Sequence, residues 1–564
     1  MTSQQASPVM QAIEAARARL GYPDAIALPK DSVAQDNILS VLVRAVERFP
    51  NRPAYSCMGH TIDYALLDKL ALQFAAYLQH HTDLQPGDRI AIQLPNILQY
   101  PIVAFGALRA GMIIVNTNPL YTPHEMEHQF TDSGAKAIVI LANMASKLEG
   151  ILSSTALRHV IVTELADFHP LPQRLLINIG AKYLKKMVPP YHLPLAVSLR
   201  WAMARGAESR FAPVTIESDD IAVLQYTGGT TGVAKGAMLT HANLLANMRQ
   251  CAVFMEKAGV SHGEEIAVAP LPLYHIYAFM LHILLMPEFG NQSVLIPNPR
   301  DIKTFIKTLA RQPFTFFVGI NTLFVALLND DGFRRLDFSR LKLTFSGGMA
   351  LTESAARQWE ATTGCAVLEG YGLTESSPVL TINPYGHARL GTIGIPVANT
   401  DIRIVDDNGM AQSPGSAGEL CAKGPQVMRG YWQRDLATHE TIIDGWLHTG
   451  DVAIVDEDGF IRIVDRKKDM IIVSGFNVYP NEIENVMSAH PDIIECAAVG
   501  VPDADSGEAV KLFVVARSIT LDSEQLRAFA REELTGYKVP RFIEFRDSLP
   551  KSNVGKILRR ELRG

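Results

Sequence analysis

Cysteine is scarce and unpaired: the 564 residues contain five, Cys57, Cys251, Cys365, Cys421 and Cys496, far apart and with no CxxC pair. This excludes a disulfide framework or a structural zinc site and fits a reducing compartment. Long apolar runs are missing as well. The longest, Tyr274 to Met286, is interrupted by His275 and His282 and stops at Pro287, short of the roughly 20 residues that a membrane-spanning helix needs. The N-terminal MTSQQASPVMQAIEAARARLGYPDAI has neither the apolar core nor the small-residue cleavage site of a secretory signal, so a cytoplasmic protein is expected. Excess positive charge is also lacking. With 52 basic and 58 acidic side chains the formal charge is −6, and no global field draws the chain to nucleic acid.

What remains is the composition of a soluble globular protein, 48% apolar and 20% charged, in a chain long enough for several folding units. From Asp88, β-branched runs (DRIAIQLP, MIIVN, KAIVIL, RHVIV) alternate with helical patterns, and the rhythm resumes after Asp219 with IAVLQYT, IAVAPL, SVLIP, FTFFVG, LKLTFSG and AVLEGYG. That alternation predicts an α/β body of layered βαβ units over residues 36–464. Turn signals DDNG and DEDG between short runs predict antiparallel hairpins, hence a β-rich part over about 395–464. Beyond Asp465 a separate strand and helix pattern predicts a small α+β domain over 465–564. Residues 1–35 carry no motif and are read as an arm of unknown role.

YTGGTTGVAKGA, Tyr226 to Ala237, carries the strongest chemical signal. Gly228, Gly229 and Gly232 let backbone N–H groups converge on an anion, Thr227, Thr230 and Thr231 add hydroxyls, and Lys235 adds charge. The reading is a phosphate cradle between a strand and a helix capped by Thr240. Lys235 stands between Ala234 and Gly236, which excludes a standard P-loop.

This loop resembles the phosphate loop of the adenylate-forming superfamily of acyl-CoA synthetases, luciferases and peptide-synthetase adenylation domains. GYGLTE (370–375), HTGD (448–451), VDRKKD (464–469), GFNVYPNE (475–482) and PKSNVGKILR (550–559) follow in that superfamily's order. The resemblance covers about residues 40–562. DGWLHTGDVAIVDEDGFIRIVDRKKDMI (444–471), with the C-terminal motifs, is most similar to bacterial long-chain fatty-acid–CoA ligases.

The resemblance implies an enzyme that takes ATP, Mg²⁺ and CoA and activates a long-chain fatty acid through an acyl-adenylate. It implies that Tyr226, Gly347, Gly348, Gly370, Tyr371, Gly372 and Thr374 help hold the nucleotide, with Tyr371 stacking on the purine. Asp451, assisted by Arg466, is implied to bind the ribose. Glu375 and Thr227 are implied to hold Mg²⁺, a hard cation that prefers such oxygens. Lys556 is the implied catalytic cation, since a carboxylate attacking the α-phosphorus brings two anions together. His275, in LPLYHIY, is implied to line the acyl site. Asp465 is the implied hinge of a mobile lid, whose rotation exchanges Lys556 for the loop at Gly475 and opens a path for the CoA thiol. Chain length is set by tunnel depth, at about 0.8 kcal/mol per buried CH₂. A ligase for a medium-chain or aromatic acid, and a lipid-binding or uptake protein on the same fold, stay open as alternatives.

One segment departs from the acidic average. Between His169 and Ala207 stand Arg174, Lys182, Lys185, Lys186, Arg200 and Arg205 with no acidic residue, interleaved with apolar side chains. The pattern suits either a solvated connector or peripheral contact with the inner face of an anionic membrane. Oligomeric state, including a homodimer, is left open.

Overall fold

The computed structural model describes residues 7–28, 37–227, 234–503, 505–518, 520–552 and 555–563. Its first sheet has seven strands in the spatial order Ala196–Ser198, His159–Thr163, Ala137–Leu141, Arg89–Gln93, Ile113–Asn116, β1 (Ile221–Thr227) and β2 (Lys235–Thr240). Neighbours are parallel except β1 and β2. All five residues of the AIVIL strand Ala137–Leu141 are buried, as a strand covered on both faces requires. Alternate side chains serve the two faces. Ile90 and Ile92 pack with Phe74 and Phe105, whereas Ala91 packs with Met126 and Phe130.

The second sheet has nine strands, ordered Ile395–Pro396, Val379–Ile382, β3 (Val367–Gly372), Leu343–Ser346, Phe316–Gly319, Ile266–Ala269, Gln292–Leu295, Pro53–Cys57 and His60–Asp63. Its interior is parallel and its edges antiparallel. Loops at the C-terminal ends of parallel strands are where an open α/β sheet offers a crevice. Gly347 and Gly348 follow such a strand, and β3 ends in the GYG segment.

A third, antiparallel sheet contains Asp401–Val405, Gly418–Lys423, β4 (Trp446–Val455) and β5 (Ile461–Arg466). The fourth, built from residues 471–545, packs Ile471 and Leu512 against Ile483 and Leu526 of two helices. The molecule is therefore mixed α/β with a C-terminal α+β part.

Two expectations are corrected. The glycine loop does not run from a strand into a helix: β2 intervenes, antiparallel to β1, and only then does Thr240 cap α3 below. The strands on either side of the loop pair antiparallel, Thr227 with Lys235. Of the predicted arm 1–35, the described residues 7–28 pack on the body. Helix α1 (Pro8–Leu20) is capped by Ser7 and buries Val9 and Ile13 against Leu380, Ile402 and Leu420. Buried Arg17 donates to the carbonyls of Pro396, Val397 and Thr400 at 3.2, 2.8 and 3.0 Å, which ties α1 to the β-rich part. Two further helices matter below, α2 (Leu171–Ile179) and α3 (His241–Lys257). Among the described residues no helix is long and apolar enough to cross a membrane.

Candidate active site

A cavity of about 1560 Å³ lies where these sheets meet. Thr227, at the end of β1, and Lys235, at the start of β2, are cross-strand partners on its wall. Tyr226 also lines it, with its hydroxyl donating to Asp132 Oδ2 at 2.7 Å. Residues 228–232 of the predicted cradle, Gly228, Gly229, Thr230, Thr231 and Gly232, lie outside the described residues.

The opposite wall comes from β3 and the turn after it. Gly370, Tyr371, Gly372, Thr374 and Glu375 line the cavity together with Gly347 and Gly348. Gly372 cannot be replaced without moving backbone, because an added Cβ would sit 1.8 Å from the Pro378 carbonyl oxygen. Gly348 has φ +84°, a conformation that L side chains rarely adopt.

Tyr371 donates its hydroxyl to Asp451 Oδ2 at 2.5 Å, and the Arg466 guanidinium stands 3.3 Å from Oδ1. Asp451 on β4 and Arg466 on β5 are register partners, so sheet pairing sets this contact. Burial raises the Asp451 carboxyl above the usual range, against the pull of Arg466 and the Tyr371 hydrogen bond. The phenol expected to stack on a purine thus also orients the carboxylate expected to take a diol.

Lys556 arrives from the C-terminal end. Thr322 Oγ1 donates to the Gly555 carbonyl at 3.1 Å, and the Lys556 stem passes 3.7 Å from where a Cβ on Gly348 would be. Burial, reinforced by the Arg466 charge and opposed by Asp451 and Glu375, lowers its ammonium to about 8. A cation is therefore held among two carboxylates and a guanidinium. His275 lines the same cavity, its Nδ1 accepting the Tyr277 N–H at 3.3 Å. Burial and the Lys556 charge hold it down to about 3, so it is a neutral ring with its proton on Nε2.

The sequence did not single out three groups that belong here. Tyr431 donates to Glu375 Oε1 at 2.6 Å and lies under the Lys235 ammonium, 5.2 Å from ring centre to nitrogen. Long-range pairing of residues 429–432 with 236–238 brings it in, so no local pattern marks it. Glu369, just before Gly370, lines the cavity with its carboxyl pushed up to about 8 by burial. Arg559 donates to Asp465 Oδ1 at 3.1 Å and to Glu484 Oε2 at 2.7 Å, clasping the predicted hinge residue, which is fully buried.

One predicted residue lies elsewhere. Gly475, φ +82°, sits in the tight turn between Ile471–Val473 and Phe476–Val478 and does not line the cavity. Apolar side chains also line the cavity: Cys251 and Met255 of α3, Met280, Leu281 and Leu285, and Phe345. Among the described residues no cluster of three or more His, Cys, Asp or Glu forms a metal cage.

Residues 42–432 match the AMP-binding enzyme family and residues 482–556 match the AMP-binding enzyme C-terminal domain. A long-chain-fatty-acid–CoA ligase of Escherichia coli O157:H7 is 52% identical over 544 residues, 96% of this chain and 97% of that protein. A protein of the same name from Bacillus subtilis strain 168 is 39% identical over 93% of both chains. Among solved structures, the ATP-bound MatB of Rhodopseudomonas palustris superposes with a TM-score of 0.80 at 29% identity, covering 93% of this chain and 98% of that one. A benzoate CoA ligase from Burkholderia xenovorans LB400 gives a TM-score of 0.81 at 26% identity, covering 94% and 100%. With most of its length matched and its motifs gathered around one cavity, the chain belongs to the AMP-binding enzyme family.

Proposed function

We propose that this chain is a long-chain fatty-acid–CoA ligase. A fatty carboxylate attacks the α-phosphorus of ATP, giving acyl-adenylate and pyrophosphate; the CoA thiol then attacks the acyl carbon, giving acyl-CoA and AMP. The observation that carries the reading is the union, in the lining of one cavity, of Lys556, Asp451 and Glu375 with apolar side chains from α3 and Met280–Leu285. The relatives named above supply the substrate class. Lys556 would stand between the attacking carboxylate and the phosphate and lower the cost of bringing them together. Asp451 would accept from the ribose hydroxyls, held in place by Tyr371 and Arg466. His275, neutral, would donate from Nε2 or simply wall the acyl site.

One carboxylate and one hydroxyl, Glu375 and Thr227, suit Mg²⁺, which usually keeps waters and substrate phosphates as its other ligands. When bound, the ion would neutralise phosphate charge. Residues 465–564 would act as the lid, exchanging Lys556 for the Gly475 turn between the two steps. Since a fatty acid partitions into bilayers, the reading places the chain in the cytoplasm, peripheral to the inner face of the membrane.

The test is CoA consumption with ATP, Mg²⁺ and saturated acids of graded length, with benzoate and 4-coumarate as further arms. Preference for the longer acids is expected. Preference for the aromatic acids would replace the substrate, and no thiol consumption with any acid would overturn the reading. Lys556→Ala should lose acyl-adenylate formation by at least about a hundredfold while still forming thioester from supplied acyl-adenylate.

A further inference from the structure

Helix α2 is turned inside out. At about 100° per residue, Leu171, Leu175, Leu176 and Ile179 share one face, and Gln173, Arg174 and Asn178 share the other with one apolar residue, Ile177. A helix on a globular core points its apolar face inward, but here the apolar face is exposed and no residue of α2 is buried. The polar face is the one that docks. Gln173 donates to the Met58 carbonyl at 2.7 Å, and Asn178 accepts from the Ala166 N–H and donates to Glu164 Oε2, both at 2.9 Å. His169 Nε2 meets the Cys57 carbonyl at 3.0 Å. The orientation is therefore fixed by hydrogen bonds and is not that of a loose connector.

The exposed face continues beyond the helix. Gly180–Leu184 forms a π-helical turn that leaves Leu184 82% exposed, as Leu176 is 75% and Leu195 67%. Tyr183, Tyr191 and Trp201 add exposed aromatic rings, the side chains that favour a polar–apolar boundary. Lys182, Lys185 and Lys186 are exposed among them. Among the described residues the acidic neighbours come from outside the segment: Glu164 is engaged by Asn178, Glu149 by the His192 N–H at 2.9 Å, and Asp301, whose carboxyl is held low by Thr304 and by the Lys185 charge, accepts from the Thr304 N–H at 3.1 Å.

We propose that residues 171–201 are the surface by which this chain docks on an anionic phospholipid bilayer, α2 lying in the interface with its leucines in the acyl region and Lys182, Lys185 and Lys186, which follow it, among the headgroups. This rests on the peripheral reading given above and assigns it to a place. Charge decides the occupant. A second copy meeting this face symmetrically would set the exposed Lys182, Lys185 and Lys186 of each copy against those of the other, whereas an anionic membrane complements them. The apolar side chains stand outward on a helix and turn, which suits entry into a soft interface better than a peptide that needs a groove.

The experiment is co-sedimentation of the full chain with phosphatidylglycerol–phosphatidylcholine vesicles and with phosphatidylcholine vesicles alone. Two variants are compared with the wild type: the triple Lys182→Ser, Lys185→Ser, Lys186→Ser, and the double Leu176→Glu, Leu184→Glu. Wild-type binding should favour the anionic vesicles, and the triple variant should bind them about a hundredfold more weakly, at roughly fivefold per cation. The double variant should lose binding too. Both should keep wild-type CoA consumption with detergent-dispersed acid, which shows that they fold. If the wild type binds no vesicles, the peripheral reading itself fails. If it binds and both variants bind equally well, this surface is the wrong one. A lipid-free dimer that the Leu176→Glu, Leu184→Glu variant breaks would make the face a subunit contact and overturn the proposal.

Discussion

Lys556 sets the pH behaviour expected of the first half-reaction. Its ammonium, lowered by burial to about 8, is charged below that pH and neutral above it. Because the charged form is the useful one, kcat/KM for acyl-adenylate formation should fall as pH rises through about 8. That parameter reports the free enzyme. The kcat limb should lie higher, since bound phosphates stabilise the ammonium. Glu369 titrates in the same range, so the profile is best repeated in Glu369→Gln; a limb that vanishes there belongs to Glu369 and not to Lys556. His275, neutral from about 3 upward, should contribute no limb near neutrality. A second test concerns Tyr371. Tyr371→Phe removes the 2.5 Å hydrogen bond to Asp451 and leaves a buried carboxylate whose remaining support is charge, from Arg466 first and then Lys556 and Lys468. A charged hydrogen bond is worth about 1.5–3 kcal/mol, so KM for ATP should rise by at least about tenfold with kcat less affected. An unchanged KM would show that Asp451 does not hold the nucleotide.

At the scale of elements, the clasp around Arg559 sets the join between β5 and the last sheet. Arg559 reaches Asp465, which is fully buried, and Glu484, which is half-buried, and their charges raise its guanidinium pKa despite burial. Removing one partner of a buried ion pair leaves the others uncompensated, at a cost of about 3–5 kcal/mol. Arg559→Ala should therefore loosen this join. Limited proteolysis should cut around residues 465–470 faster than in the wild type, and acyl-adenylate formation should drop. Equal cleavage rates would mean that the clasp is ornamental. The elements also show what a linear reading can reach. Thr240 was legible as a helix start because caps are local, and the strand Ala137–Leu141 because burial on both faces leaves a continuous apolar run. The β2 strand, KGAMLT, was missed because its short, small-residue pattern looks like loop. Tyr431 was missed because its partners, Glu375 and Lys235, are brought to it by pairing far along the chain. Helix α1 gave no motif because its anchor is Arg17 bonding to backbone carbonyls, which any sequence offers. In α2 the basic and apolar composition was legible, but the inversion of its faces was not, since it depends on which side the body occupies.

At the scale of the whole molecule, the question is whether one arrangement can perform both half-reactions. Lys556 is in the cavity and Gly475 is not, and the C-terminal sheet is fastened to the body at separate points. The Glu353 N–H donates to Asn485 Oδ1 at 3.2 Å, and Arg517 donates to Asn329 Oδ1 at 3.1 Å. If the Gly475 turn must replace Lys556 for the thiol to enter, these contacts have to break in every turnover. A covalent link across one of them should then separate the two steps. The double variant Glu353→Cys, Asn485→Cys, joined by a short bis-maleimide, should still make acyl-adenylate and pyrophosphate, in a burst of about one equivalent per enzyme. Its CoA thioester output should fall at least about tenfold relative to the same variant left unlinked. The native cysteines do not compromise the design. All five are buried, and burial pushes the thiols of Cys57, Cys251 and Cys421 up to about 12, far from the thiolate that reacts with maleimide. Full thioester output from the linked enzyme would mean that CoA reaches the acyl-adenylate without the C-terminal sheet leaving its place, and the two-position reading of Lys556 and Gly475 would have to be given up.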